Sequence, residues 1–129
     1  MKRLLIAVAI LLSVTACSDD DSKDGQGEVQ ATYDTIEIGE IDQYKEDGYR
    51  LVDVRELEEF DSGHIPGALN LPLSGLEQGD FGSLSEEGTY IIICQSGNRS
   101  QFASEILSDH GFKLVNVREG MSSWTGEIE

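Results

Sequence analysis

The residues in this sequence best suited to chemistry are the run Cys94-Gln95-Ser96-Gly97-Asn98-Arg99-Ser100. It follows the apolar stretch Tyr90-Ile91-Ile92-Ile93 and opens a segment with helical spacing. A thiol at a strand end and a helix start lies near the positive end of the helix dipole and near backbone N–H groups without intrahelical acceptors, both of which favour thiolate over thiol. Gly97 permits backbone conformations closed to other residues, so that successive N–H groups can turn inward as an anion-binding nest. Arg99 adds a positive charge beside it. Cys94 is therefore the candidate nucleophile, and Gln95, Ser96, Gly97, Asn98 and Arg99 are the candidate anion-binding residues. A buried cysteine before an ordinary helix cap would leave glycine and arginine at these offsets without a purpose.

Apolar and β-branched runs that must position this loop recur along the chain. Tyr49 to Val54, Tyr90 to Ile93 and Leu114 to Val117 read as buried strands, with shorter strands over Thr35 to Ile38 and Ala68 to Leu71. Between the last two long runs, Arg99 to His110 repeats Phe102, Ala103, Ile106 and Leu107 at spacings of three and four, the apolar face of an amphipathic helix. Gly111 is its natural stop, and His110 in the last turn reads as structural. Ile41 to Glu46 and Glu56 to Phe60 read as helical turns, and Gly75 to Gly88 as a loop with at most one short helix. Strand, helix, strand implies right-handed crossovers and a mostly parallel central sheet flanked by helices on both faces, an α/β fold. Such sheets place active sites at the carboxyl ends of their strands, where Cys94 stands.

The 129 residues include 25 acidic and 9 basic side chains, a formal charge of −16, which offers no counterion-release drive for nucleic acid. Hydrophobic residues make up 39%, enough for one modest core. The only cysteines, Cys17 and Cys94, fall in segments of different character, so no structural disulfide is expected and Cys94 is left free to react. No metal-ligand set or cofactor motif appears.

The head of the chain has a different character. Lys2 and Arg3, the apolar run Leu4 to Leu12, and Val14-Thr15-Ala16-Cys17 have the layout of a secretory signal. The apolar run is about half the roughly 20 residues that a spanning helix needs. The last four residues resemble the lipobox of bacterial lipoproteins, which implies a signal peptide over 1–16, lipidation of Cys17 and anchoring to a membrane of the cell envelope, periplasmic or outward-facing. Two or more acyl chains make such anchoring stable. Loss of Lys2 and Arg3 leaves 7 basic against 25 acidic side chains, 7 − 25 = −18. Residues 17–30 then read as an acidic flexible tether, since Ser18 to Gly27 has almost no apolar side chain to repay the entropy of ordering. The folded domain spans 31–129.

Around the cysteine loop, Leu51-Val52-Asp53-Val54-Arg55-Glu56 with Glu59-Phe60, then Gly63-His64-Ile65-Pro66-Gly67-Ala68-Leu69-Asn70 with Pro72, and finally Gly120-Met121 with Trp124 stand in order. Together with Cys94 to Ser100 they resemble single-domain rhodaneses, over about Tyr33 to Trp124. The resemblance implies that Cys94 accepts a sulfane sulfur as a persulfide from a small anionic donor and passes it to a nucleophile such as a thiol or cyanide, by double displacement. It implies further that loop residues Gln95 to Arg99 hold the persulfide and orient the substrate, that Asp53 and Arg55 brace the loop or the strand ends, and that His64 and Pro66 shape a turn. Two positions depart from the pattern: Gln95, Ser96 and Asn98 are uncharged where thiosulfate-using relatives often carry basic side chains, and Glu119 stands where a second glycine is common.

Two other functions compete. The phosphatase and arsenate-reductase branch of the same fold also pairs a cysteine with an arginine, but typically with five residues between them, against four between Cys94 and Arg99. The shorter loop suits a smaller group. A rhodanese-like module that carries sulfur to a protein acceptor or binds a partner without turnover is the second alternative.

Overall fold

The computed structural model describes residues 32–129. Five strands, β1 (Asp34–Ile36), β2 (Arg50–Asp53), β3 (Leu69–Asn70), β4 (Thr89–Ile93) and β5 (Lys113–Val117), form one sheet in the order β1-β5-β4-β2-β3, with every pair parallel. Four helices, α1 (Ile41–Glu46), α2 (Leu57–Asp61), α3 (Leu73–Leu76) and α4 (Asn98–Asp109), occupy the crossovers, and short 3₁₀ turns run over Ile38–Glu40 and Met121–Ser123. The fold is the expected α/β architecture.

The long strands read as continuous apolar runs because both of their faces are covered. Side-chain alternation sends Val52, Tyr90, Ile92, Cys94 and Leu114 to one face, where they meet Leu76 of α3 and Ala103 and Leu107 of α4. Leu51, Ile91, Ile93, Val115 and Val117 go to the other face, against Ile41 of α1, Ile65, Met121 and Trp124. The chain steps from β2 outward to β3, returns to β4 and then steps the other way to β5. The strand order therefore reverses between β2 and β4, and it is at the carboxyl ends of strands beside such a reversal that α/β sheets place their sites.

Three expectations need correction. Ile38 belongs to a 3₁₀ turn and not to β1, because Glu37 and Glu40 form a reciprocal capping box that bends the chain as soon as the strand ends. The helix in the stretch after β3 starts before Gly75, at Leu73, where Leu76 finds core to fill. Phe102 is 59% exposed and takes no part in the core. The buried stripe of α4 is Ser100, Ala103, Ser104 and Leu107, so two serines occupy positions that an apolar count passes over. Small side chains there let the helix lie close to β4 and β5, and Phe102, one residue round from the stripe, turns to solvent.

The signal segment 1–16, the tether 17–30 and Cys17 lie outside the described residues. Among the described residues, no helix is long and apolar enough to cross a membrane.

Candidate active site at the carboxyl edge of the sheet

Cys94 directly follows β4, the central strand, and is 0% exposed. Its Sγ accepts a hydrogen bond from the Gly97 N–H at 3.1 Å. That geometry needs Gly97 at φ +95°, a left-handed conformation that L side chains rarely adopt. A Cβ on Gly97 would also lie 2.2 Å from the Arg118 carbonyl oxygen, so packing and conformation both demand glycine. The residues immediately beyond, Asn98 and Arg99, open α4, and no protein acceptor is found for their N–H groups or for that of Ser96 among the described residues. First-turn amides of a helix are left over by its geometry and are free to meet an anion there.

The loop is held from three directions. From the 3₁₀ turn that follows β5, the Met121 N–H donates to the Cys94 carbonyl at 2.8 Å and the Ser122 N–H to the Gln95 carbonyl at 3.0 Å. Gly120 makes this approach possible, since a Cβ there would stand 2.4 Å from the Gln95 carbonyl oxygen. Glu119, at the position where a glycine is common in the resembling family, uses its carboxylate to accept the Ile38 N–H at 2.8 Å, which ties this segment to the turn after β1.

From β2 comes a buried ion pair. Arg55 donates from Nε to both Asp53 oxygens at 3.0 and 3.1 Å and from Nη2 to Oδ2 at 2.8 Å. The same guanidinium donates to the Gly63 carbonyl at 2.8 Å and, through Nη1, to Gln95 Oε1 at 3.3 Å. Asn70 Nδ2 spans the Asp53 and Arg55 carbonyls, binding β3 into the network. Asp53 and Arg55 thus reach the cysteine loop through Gln95.

From α2 comes Glu59. Its carboxylate receives Arg99 in a bidentate bridge, Nη1 to Oε1 at 2.6 Å and Nη2 to Oε2 at 2.8 Å, while also accepting the Glu56 N–H that caps α2. These bonds, chiefly those from Arg99, hold the Glu59 carboxyl well below its usual range, at about 2. Glu59 in turn pushes the Arg99 guanidinium further toward its charged form. The positive charge expected to face a substrate is therefore met by a carboxylate of the same chain.

His64 has a structural setting. Its ring stacks on Phe60 with centroids 3.7 Å apart, and Nδ1 pairs with the Phe60 carbonyl at 2.9 Å. His110 lies at the far end of α4, paired with the Ile106 carbonyl. All six loop residues meet Asp53 and Arg55 at one edge, whereas Glu59, Asn70, Glu119 and the backbone of Met121 and Ser122 received no role from the sequence. Their types carry no catalytic signal. Only their membership of the ordered motifs marked Glu59, Asn70 and Met121.

A family model described as "Rhodanese-like domain" matches residues 38–127. YrkF of Bacillus subtilis, provisionally named a sulfur carrier protein, is 40% identical over 85 residues, which is 65% of this chain and 45% of YrkF. YtwF of the same organism, provisionally named a sulfurtransferase, is 40% identical over 79 residues, 61% of this chain and 76% of YtwF. This chain therefore spans less than half the length of the first of these relatives and about three quarters of the second. Among solved structures, a rhodanese-related protein from Thermoplasma volcanium superposes with a TM-score of 0.67 at 32% identity, covering 75% of this chain and 98% of that one.

Proposed function

The chain belongs to the rhodanese-like domain family, and from that premise we propose that it is a sulfurtransferase that moves a sulfane sulfur through a persulfide on Cys94. The observation that carries the reading is the Gly97 N–H on Sγ at 3.1 Å, at the start of α4 and at the carboxyl end of the central strand.

In the first step the Cys94 thiolate attacks the outer sulfur of a donor such as thiosulfate, a polysulfide or a persulfide. The new S–S bond forms as the donor's own bond to that sulfur breaks, and the electron pair leaves with sulfite or a thiolate. In the second step a thiolate or cyanide attacks the terminal sulfur, the Cys94–sulfur bond breaks, and thiolate returns to Cys94. The terminal sulfur of the persulfide sits about 2 Å beyond Sγ. The amides of Ser96 and Gly97 and the first-turn amides of Asn98 and Arg99 would stabilise its negative charge. Arg55 would keep Gln95 in place, with Asp53 balancing its charge. Because Cys94 has no exposed surface, the donor reaches Sγ only through local opening of the structure around it.

The bidentate hold of Glu59 on Arg99 weighs against phosphatase chemistry, in which the arginine must be available to a phosphoryl group. With relatives named for carriage as well as transfer, a protein acceptor is a natural destination for the sulfur. We place the chain in the bacterial cell envelope, lipid-anchored through Cys17, on the layout of residues 1–17 alone. No nucleic-acid partner is proposed.

The test is intact-mass analysis after incubation with thiosulfate, polysulfide or a persulfide. One added sulfur per chain, absent in Cys94→Ser, is expected, and no adduct from any donor would sink the proposal. Turnover of cyanide or a thiol separates an enzyme from a carrier. If Cys17→Ala remains in the membrane fraction of the native host, the anchor assignment is wrong.

A further inference from the structure

Six basic side chains lie within residues 32–129: Lys45, Arg50, Arg55, Arg99, Lys113 and Arg118. Lys45 stands in the last turn of α1, while Arg50 and Lys113 begin β2 and β5, at the edge of the sheet opposite the cysteine loop. At the loop edge, Arg55 is matched by Asp53 and Arg99 by Glu59. Arg118 remains, exposed and with no carboxylate within 4.0 Å among the described residues.

Its placement follows from the strand. The Arg118 N–H still pairs with the Ile36 carbonyl at 2.9 Å, so the extended ladder of β5 continues through it. Leu114 packs on the α4 face and Val115 and Val117 on the other. With a period of two, Arg118 returns to the α4 face, at the level where that helix begins. Its carbonyl oxygen lies against Gly97, and its neighbours Met121 and Ser122 hold the Cys94 and Gln95 carbonyls. The nearby carboxylate of Glu119 is turned to the Ile38 N–H, and that of Glu40 to the Glu37 N–H.

We infer that Arg118 is the cation that draws an anionic sulfur donor to Cys94, in place of Arg99. The inference rests on the sulfur-transfer reading for its ligand class. A chain of formal charge −16 repels small anions overall, and Arg118, whose backbone packs on Gly97 and whose side chain has no carboxylate partner among the described residues, is the local exception. It is a single charge, suited to a donor that presents one negative group to it.

The test compares alkylation of Cys94 in the full chain by iodoacetate, which is anionic, and iodoacetamide, which is neutral and of nearly equal size, with peptide-resolved mass spectrometry. Any loop opening affects both reagents alike, so the rate ratio reports the field at the thiol. At low salt, Arg118→Gln should lower the iodoacetate-to-iodoacetamide ratio about three- to tenfold, as removal of one charge at partly screened range implies. Arg118→Lys should restore most of it, and the difference should shrink at about 1 M salt, where screening acts over about 3 Å. Lys113→Gln removes the same net charge at the far edge and should change the ratio less than about twofold. An unchanged ratio in Arg118→Gln, or an equal fall in Lys113→Gln, overturns the inference. Failure of wild type to take sulfur from any donor would instead remove the sulfur-transfer reading, with the alkylation ratio still deciding what Arg118 does.

Discussion

Replacing Asp53 by Asn keeps the shape of the side chain but takes away the counter-charge of a guanidinium that is itself buried. The side chains of Arg55 and Asp53 are 5% and 1% exposed, and Arg55 has no other carboxylate partner among the described residues. The Gly63 carbonyl and Gln95 Oε1 would remain, but neither carries a charge. Breaking a buried pair on one side costs about 3–5 kcal/mol, a large share of the roughly 5–15 kcal/mol that holds a domain together. At about 4–8 °C per kcal/mol, Tm should fall by at least about 12 °C. Urea unfolding followed by circular dichroism gives the free energy, and an unchanged slope guards against a change in the unfolded state. The companion variant Asp53→Leu with Arg55→Met should recover most of the loss, since apolar replacement of a whole buried pair is often neutral. Its sulfur uptake should stay impaired, because Gln95 has lost its donor. A single-variant cost under about 1 kcal/mol, or a double variant no more stable than the single, would refute this account of the network.

Three further outcomes are expected. The Glu59 carboxyl is lowered in the folded chain, so its bridge to Arg99 adds stability above about pH 4.5 that is lost as pH falls toward about 2. The pair is partly solvent-screened and worth about 1 kcal/mol or less, so the urea midpoint of Glu59→Gln should lie slightly below wild type at pH 7 and meet it near pH 2; a gap that persists there would mean another cause. Gly97→Ala meets both a left-handed backbone and a carbonyl 2.2 Å away, and should lose sulfur uptake with a Tm drop well beyond that of Gly39→Ala, whose Cβ would meet nothing within 4 Å. Leu107→Ala should cost about 2–5 kcal/mol and Phe102→Ser under about 0.5 kcal/mol by the same denaturation assay, and equal costs would contradict the observed face of α4.

The architecture was legible because parallel strands covered on both faces announce themselves as unbroken apolar runs, and β2, β4 and β5 lie within one residue of where those runs predict. The helix after the cysteine was equally plain from its length and from Gly111. Its inward face was not. Ser100 and Ser104 are buried because α4 packs tightly on the sheet, and a hydrophobic count assigns such positions to the outside.

For the site, sequence order alone determined that Cys94 stands at the end of a strand and the start of a helix, since those adjacencies are covalent, and the Gly97 N–H on Sγ is contained within four residues. The Arg55 charge is met two residues away by Asp53, but the Arg99 charge is met by Glu59, and Arg55 reaches the loop through Gln95, each 40 residues distant, and only the closed sheet brings those partners within reach. Charge is read from a sequence one residue at a time, but its availability is a property of pairs. Among the described residues, the fold matches Arg99 with a carboxylate and leaves Arg118 without one.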